Sequence, residues 1–253
     1  MGAGETRRIG RRRALHALAR GAAALGAAIA IPGGAARART VEVELILAVD
    51  VSASVDPYEF DLQMRGYAEA FRSPDFLEAL KGLGGDGLAV TMVQWADVNQ
   101  QGVCVEWMHV HDKRTADAFA RAVDGTGRLF EQGQTAIGQA LEFCLRLFPA
   151  RGYQGRKRVI DVSGDGYSNK GTLPNGVRDR AARQGITING LAIINEERYL
   201  AGYYQRNVIG GPGAFVAVAN DFNDFAQAIL AKLLREMKGS HVAHGPVPML
   251  PPA

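Results

Sequence analysis

From Val43 onward, short apolar runs rich in β-branched residues alternate with stretches in which apolar residues recur at helical spacing. That alternation predicts an α/β protein with a doubly wound, mostly parallel central sheet, Rossmann-like in layout, with helices on both faces. Strands are expected at residues 43–49, 88–95, 103–110, 158–162, 187–194 and 214–218. Several of these are apolar without alternation, the pattern of strands covered on both faces. Phe60, Met64, Tyr67, Ala68 and Phe71 share one helical face behind Asp56-Pro57-Tyr58-Glu59. That tetrapeptide reads as an N-cap with proline at the first helical position and glutamate at the third. Similar stripes predict helices over 135–148 and 222–234, with Asp221 as a cap for the second. From Lys238 on, Pro246, Pro248, Pro251 and Pro252 mark a disordered tail. No internal repeat is visible, so residues 39–238 read as one domain and 239–253 as the tail.

Composition changes this picture mainly at the amino end. The chain of 253 residues is 47% hydrophobic and 22% charged, an ordinary globular balance. Its net charge of +3 is unevenly spread. Residues 1–38 hold seven arginines against Glu5 and so carry +6, which leaves −3 for the body. The body therefore offers no electrostatic case for a nucleic-acid partner. The leader has a basic start, a mildly apolar stretch over 14–31 and Ala36-Arg37-Ala38. That order is the layout of an export signal cleaved after Ala38. Its apolar core is too short and too rich in Ala and Gly for a permanent membrane span. The pairs Arg7-Arg8 and Arg12-Arg13 resemble a twin-arginine signal without its usual phenylalanine, so the Tat and Sec routes both stay open. A periplasmic or secreted body is the expectation. Two cysteines, Cys104 and Cys144, are too few for a disulfide scaffold, and whether they pair is left open.

Candidate chemistry gathers where strands should end. The first strand closes on Asp50, and Ser52 and Ser54 follow in the loop before the first helix. Open α/β sheets place their sites at this carboxyl edge. In an extended loop residues two apart point the same way, so both hydroxyls can face one point. Gly133-Gln134-Thr135 and Ser163-Gly164-Asp165-Gly166 should reach the same edge. Together these segments offer only hydroxyl and carboxylate oxygens, a set suited to a hard divalent cation and unsuited to zinc or copper. The plainer alternative, serines capping a helix and aspartates making turns, explains each loop separately but not all three together.

At these residues the sequence resembles the von Willebrand factor type A domain with its metal-ion-dependent adhesion site, over roughly residues 42–237. Asp50, Ser52, Ser54, Thr135 and Asp165 follow the family's order of D-x-S-x-S, a later threonine and an aspartate before glycine. The segments from Val159 to Gly166 and from Gly210 to Phe215 look like an exported bacterial branch of unknown function. The resemblance implies that Asp50, Ser52, Ser54, Thr135 and Asp165 hold a divalent cation, Mg²⁺ first, with Mn²⁺ or Ca²⁺ as alternatives. Ser52 and Ser54 would touch the ion, Thr135 would do so in some conformations, and the aspartates would balance its charge. It also implies an open coordination position that receives an Asp or Glu carboxylate of a partner protein, making the chain an adhesion-type binding module and not an enzyme. A metal-dependent hydrolase, with the ion activating water and Asp50 or Asp165 as base, is the alternative. A structural shell with a vacant site is a third reading.

Other signals are weaker. Gly82-Leu83-Gly84-Gly85-Asp86-Gly87 precedes a strand where a dinucleotide fingerprint must follow one. Ser163 lacks the glycine of a nucleophile elbow. His109 and His111 share a strand face, with no third ligand in view. Asp161, a carboxylate inside an apolar strand, and Asp97, just past a strand end, are candidates for supporting the metal loops. A structural pairing is the competing reading for Asp161, and a plain turn for Asp97. Tyr199, Tyr203 and Tyr204 form an aromatic insert whose default is half-buried packing.

Overall fold

The computed structural model describes residues 38–148 and 152–238. The proposed leader and tail fall outside these, except Ala38. Six strands form one sheet in the order β3-β2-β1-β4-β5-β6: β1 (Arg39–Asp50), β2 (Leu88–Trp95), β3 (Gln101–Val110), β4 (Tyr153–Gly164), β5 (Ile186–Ile193) and β6 (Val216–Ala219). Only β3 runs antiparallel. The doubly wound α/β expectation is correct, and each expected strand is present. β1 and β4 lengthen at their amino ends, where residues alternate between exposed and covered and the apolar run gives no signal.

One face carries α1 (Pro57–Arg72), α2 (Pro74–Gly82), α3 (Lys113–Asp124) and α7 (Phe225–Lys238), packed on Leu45, Leu47, Val90 and Met92. The other carries α4 (Ile137–Leu147), α5 (Pro174–Arg183) and the short α6 (Leu200–Tyr203), packed on Ile46, Ala48, Ile160 and Val162. Strands buried from both sides explain the continuous apolar runs. The expected cap of α1 forms in full: Asp56 Oδ1 accepts from Glu59 N at 2.8 Å, and Glu59 Oε2 accepts from Asp56 N at 2.9 Å. Asp221 instead closes a turn, accepting from Asn223 N and Asp224 N, and α7 starts later than expected, at Phe225. Cys104 and Cys144 are free thiols in opposite apolar layers. Among the described residues, no helix is long and apolar enough to cross a membrane.

A buried ionic cluster joins the sheet to α7. The ammonium of Lys232 forms an ion pair with Asp161 Oδ1 and another with Glu236 Oε1, the latter at 2.7 Å. Asn189 Nδ2 donates to the same Glu236 oxygen at 2.8 Å. Burial pushes Asp161 up to about 7 against the pull of Lys232. Burial works against the charge of Lys232, but Asp161 and Glu236 outweigh it and hold the ammonium above its usual range. Asp161 thus has a structural partner, a lysine on α7.

Candidate functional site

Parallel pairing brings the carboxyl ends of β1, β2 and β4 level: Asp50 stands opposite Trp95, and Val49 opposite Ser163. The loops that follow therefore meet over one edge. Asp50 is fully buried; its Oδ1 accepts from Ser52 N at 2.8 Å, and its carbonyl accepts from Gln63 Nε2 on α1 at 3.2 Å. Asp50 Oδ2 has no partner. Ser52 Oγ lies 3.3 Å from Ser54 Oγ and takes the Thr135 hydroxyl at 3.4 Å. Ser54 donates to Asp165 Oδ1 at 2.9 Å. The five residues drawn from three distant segments thus form one contiguous cluster of oxygens.

The loops are laced together by residues the sequence did not single out. The Arg128 guanidinium donates to the carbonyls of Val51, Ser52, Val55 and Phe130 at 2.8–3.0 Å, gripping the serine loop from beneath. Asn169 Oδ1 accepts from Thr135 N at 3.0 Å while Asn169 N donates back to Thr135 O at 3.0 Å. Ala53 N donates to Gly133 O at 3.0 Å. Asp97 borders the site: its Oδ2 accepts from Gln134 N at 3.3 Å and its Oδ1 from Val98 N at 2.7 Å. It braces the turn carrying Thr135. Arg128 and Asn169 carry no local signal, because an arginine or asparagine in a polar loop is common and only the fold shows which carbonyls they reach.

The electrostatics of the cluster are unbalanced. Burial, with the Asp165 carboxylate beside it, pushes Asp50 up to about 8 despite hydrogen bonds from Ser52 and the field of Arg128. Asp165 is also raised, chiefly by burial, with Glu196 adding to the effect. Both shifts come first from burial, which disfavours the charged form of each carboxyl. An oxygen-only set of three hydroxyls and two carboxylates, one carboxylate oxygen buried and unused, fits a hard divalent cation. Among the described residues no three His, Cys, Asp or Glu side chains gather into a chelating group, so the hydroxyls are what would complete such a site. His109 on the edge strand stacks at 4.4 Å on His111, one residue past the strand's end, and contacts Arg39 Nη1 and the Asp86 carbonyl.

A family model described as "Protein of unknown function (DUF1194)" matches residues 40–241. The chain belongs to this family. The fold of this chain is similar to that of several solved structures, among them a von Willebrand factor type A protein. Proximal thread matrix protein 1 from the mussel byssus aligns with a TM-score of 0.57 at 17% identity, covering 78% of this chain and 48% of that one. Another structure of that protein is described as having a zinc-occupied MIDAS motif. The pilus adhesin SpaC from Lactobacillus rhamnosus GG aligns at 0.54 and 15% identity, covering 81% and 31%. A von Willebrand factor type A protein from Catenulispora acidiphila aligns at 0.50 and 18%, covering 78% and 43%. The chain spans about half or less of the length of these structures. No curated protein matches it in sequence.

The tyrosine insert of this DUF1194 chain divides into different roles. Tyr199 is exposed, and Tyr203 accepts from Ser168 N at 3.3 Å and so braces the loop after Asp165. Tyr204 is fully buried against Asp50. Packing was the default expectation for all three; the structure ties two of them to the site loops.

Proposed function

We propose that this protein is an exported, divalent-cation-dependent binding module that captures an acidic side chain of a partner protein. Asp50, Ser52, Ser54, Thr135 and Asp165 hold the cation, Mg²⁺ first among the hard divalent ions. The observation that carries the reading is the unpartnered, fully buried Asp50 Oδ2 beside three converging hydroxyls. A buried carboxylate oxygen without a donor is costly, and a bound cation is the partner that the surrounding oxygens suit. When bound, the ion supplies an electrophilic centre. Held largely by neutral hydroxyls, it retains charge with which to attract an outside carboxylate.

The surroundings favour binding over turnover. Tyr58, Leu129, Leu173 and Tyr199 are exposed by 60%, 45%, 72% and 73%, and all sit in loops or helix starts at this carboxyl edge. Large apolar side chains left bare around a polar centre mark protein contact surfaces. The Arg128 guanidinium is spent on backbone carbonyls. The names of the similar structures, an adhesin and a matrix protein, accord with a binding role, while their low identity speaks only to the fold. In this reading, residues 1–38 are removed on export and the mature chain begins at Arg39.

The test is thermal unfolding of the purified protein in EDTA and in Mg²⁺ or Mn²⁺. A ligand bound only by the folded state raises stability by mass action. Wild type should gain, and Asp50→Ala should not. An equal gain in Asp50→Ala removes the cation from this site. Metal-dependent turnover of phosphate or ester substrates would favour the hydrolase.

A further inference from the structure

Two fully buried polar atoms lie unpartnered at the same spot beside this site: Asp50 Oδ2 and the Tyr204 hydroxyl. A Cβ on Gly164 would stand 2.7 Å from the first and 2.9 Å from the second. Both oxygens therefore border one small opening above that glycine. The tyrosine reaches it because two neighbouring strands are cleared for its ring. A Cβ on Gly190 of β5 would lie 2.5 Å from Tyr204 Cδ1, and Gly190 pairs with Val162 two residues before Gly164 on β4. The ring lies across both glycines. Its backbone begins a π-helical turn, Tyr204–Val208, closed by Ile209 N donating to Tyr204 O at 3.0 Å. Such turns are rare and occur frequently at functional sites. Packing alone would not call for the hydroxyl: phenylalanine fills the same slot, and an unpartnered buried hydroxyl is destabilising.

We infer that Tyr204 is a positioning residue for the cation site. Its hydroxyl donates to Asp50 Oδ2, directly or through one buried water, and so holds the carboxylate in the orientation in which Oδ1 takes the Ser52 amide. A carboxylate oxygen accepts more than one partner, so this bond leaves Asp50 able to serve the ion as well. The inference rests on the cation reading above. Residues that orient a metal-binding carboxylate typically change affinity by about 10–100-fold.

Titration with Mn²⁺ alone, followed by calorimetry, separates the two claims. Tyr204→Phe should keep the fold, with little change in stability in EDTA because the ring still fills its slot, yet bind Mn²⁺ roughly tenfold more weakly or worse. In an Asp50→Asn background the same substitution should change Mn²⁺ binding little, because its route of action is gone. Equal Mn²⁺ affinity in Tyr204→Phe and wild type overturns the inference and leaves the cation reading standing. So does equal weakening in both backgrounds. Absence of Mn²⁺ binding in wild type sinks the cation reading itself, and the inference with it.

Discussion

Strand β4 and the residue just past its end place two buried carboxylates, Asp161 and Asp165, four residues apart, and the protein treats them differently. Asp161 meets Lys232, an ammonium supplied by α7 and itself shared with Glu236. Asp165, with Asp50 beside it, meets only hydroxyls and backbone, with no ammonium or guanidinium bonded to either carboxylate. A fold that needed only to neutralise a buried acid has a way to do so, and uses it at Asp161. At the sheet's edge it brings no ammonium to the acids and surrounds them with hydroxyl oxygens. In the reading proposed above, the contrast separates a structural pin, whose cation is part of the chain, from a binding site that takes its cation from solution.

The strongest way to break this comparison is to remove the internal cation. Lys232→Ala leaves Asp161 and Glu236 buried without their counter-charge, and removing one partner of such a cluster costs about 3–5 kcal/mol. Urea unfolding should show this loss equally in EDTA and in Mg²⁺. A Mg²⁺-dependent loss would mean that the two clusters are not separate. Next in size is the external cation. At a free Mg²⁺ concentration about a hundredfold above its dissociation constant, the folded state should gain roughly 2.7 kcal/mol. Thermal scans should show that gain in wild type and in Lys232→Met, and lose it in Asp50→Ala.

The pH dependence sharpens the same contrast. In EDTA, Asp50 and Asp165 are raised above the ordinary carboxylate range, Asp50 to about 8. Over the window between the ordinary range and about 8, the folded state binds more protons than the unfolded one, so stability falls as pH rises. Saturating Mg²⁺ should flatten that fall. Stability that rises with pH across this window in EDTA would contradict the assignment. The smallest effect on stability belongs to the exposed rim: Leu173→Ala and Tyr199→Ala should stay within about 0.5 kcal/mol of wild type. They should nevertheless weaken capture of an acidic partner measured in Mg²⁺.

The two centres were not equally legible in the sequence. The edge cluster was readable because each residue sits immediately after or before a recognisable element: Asp50, Ser52 and Ser54 follow an apolar strand, Thr135 precedes a helix, and Asp165 follows another strand. Position in the chain fixes their place in a parallel sheet. Asp161 was readable as a difficulty, a charge in an apolar strand, but its solution was not. Lys232 lies on α7 amid an apolar stripe, and nothing local says that a lysine there points inward. Arg128, Asn169 and Tyr204 were hidden for the same reason, since their partners are brought near only by tertiary packing. The helices α2, α3, α5 and the short α6 also went unread: α5, with Arg178-Asp179-Arg180, is too polar over too few residues for its spacing to stand out.

The most direct test of the account is the stoichiometry of Mn²⁺ binding at neutral pH, followed by electron paramagnetic resonance, in wild type, Asp50→Ala and Lys232→Met. If the edge cluster takes its cation from solution while the internal one carries its own, wild type and Lys232→Met each bind about one equivalent and Asp50→Ala binds none. An equivalent retained by Asp50→Ala, or one lost in a folded Lys232→Met, would contradict it.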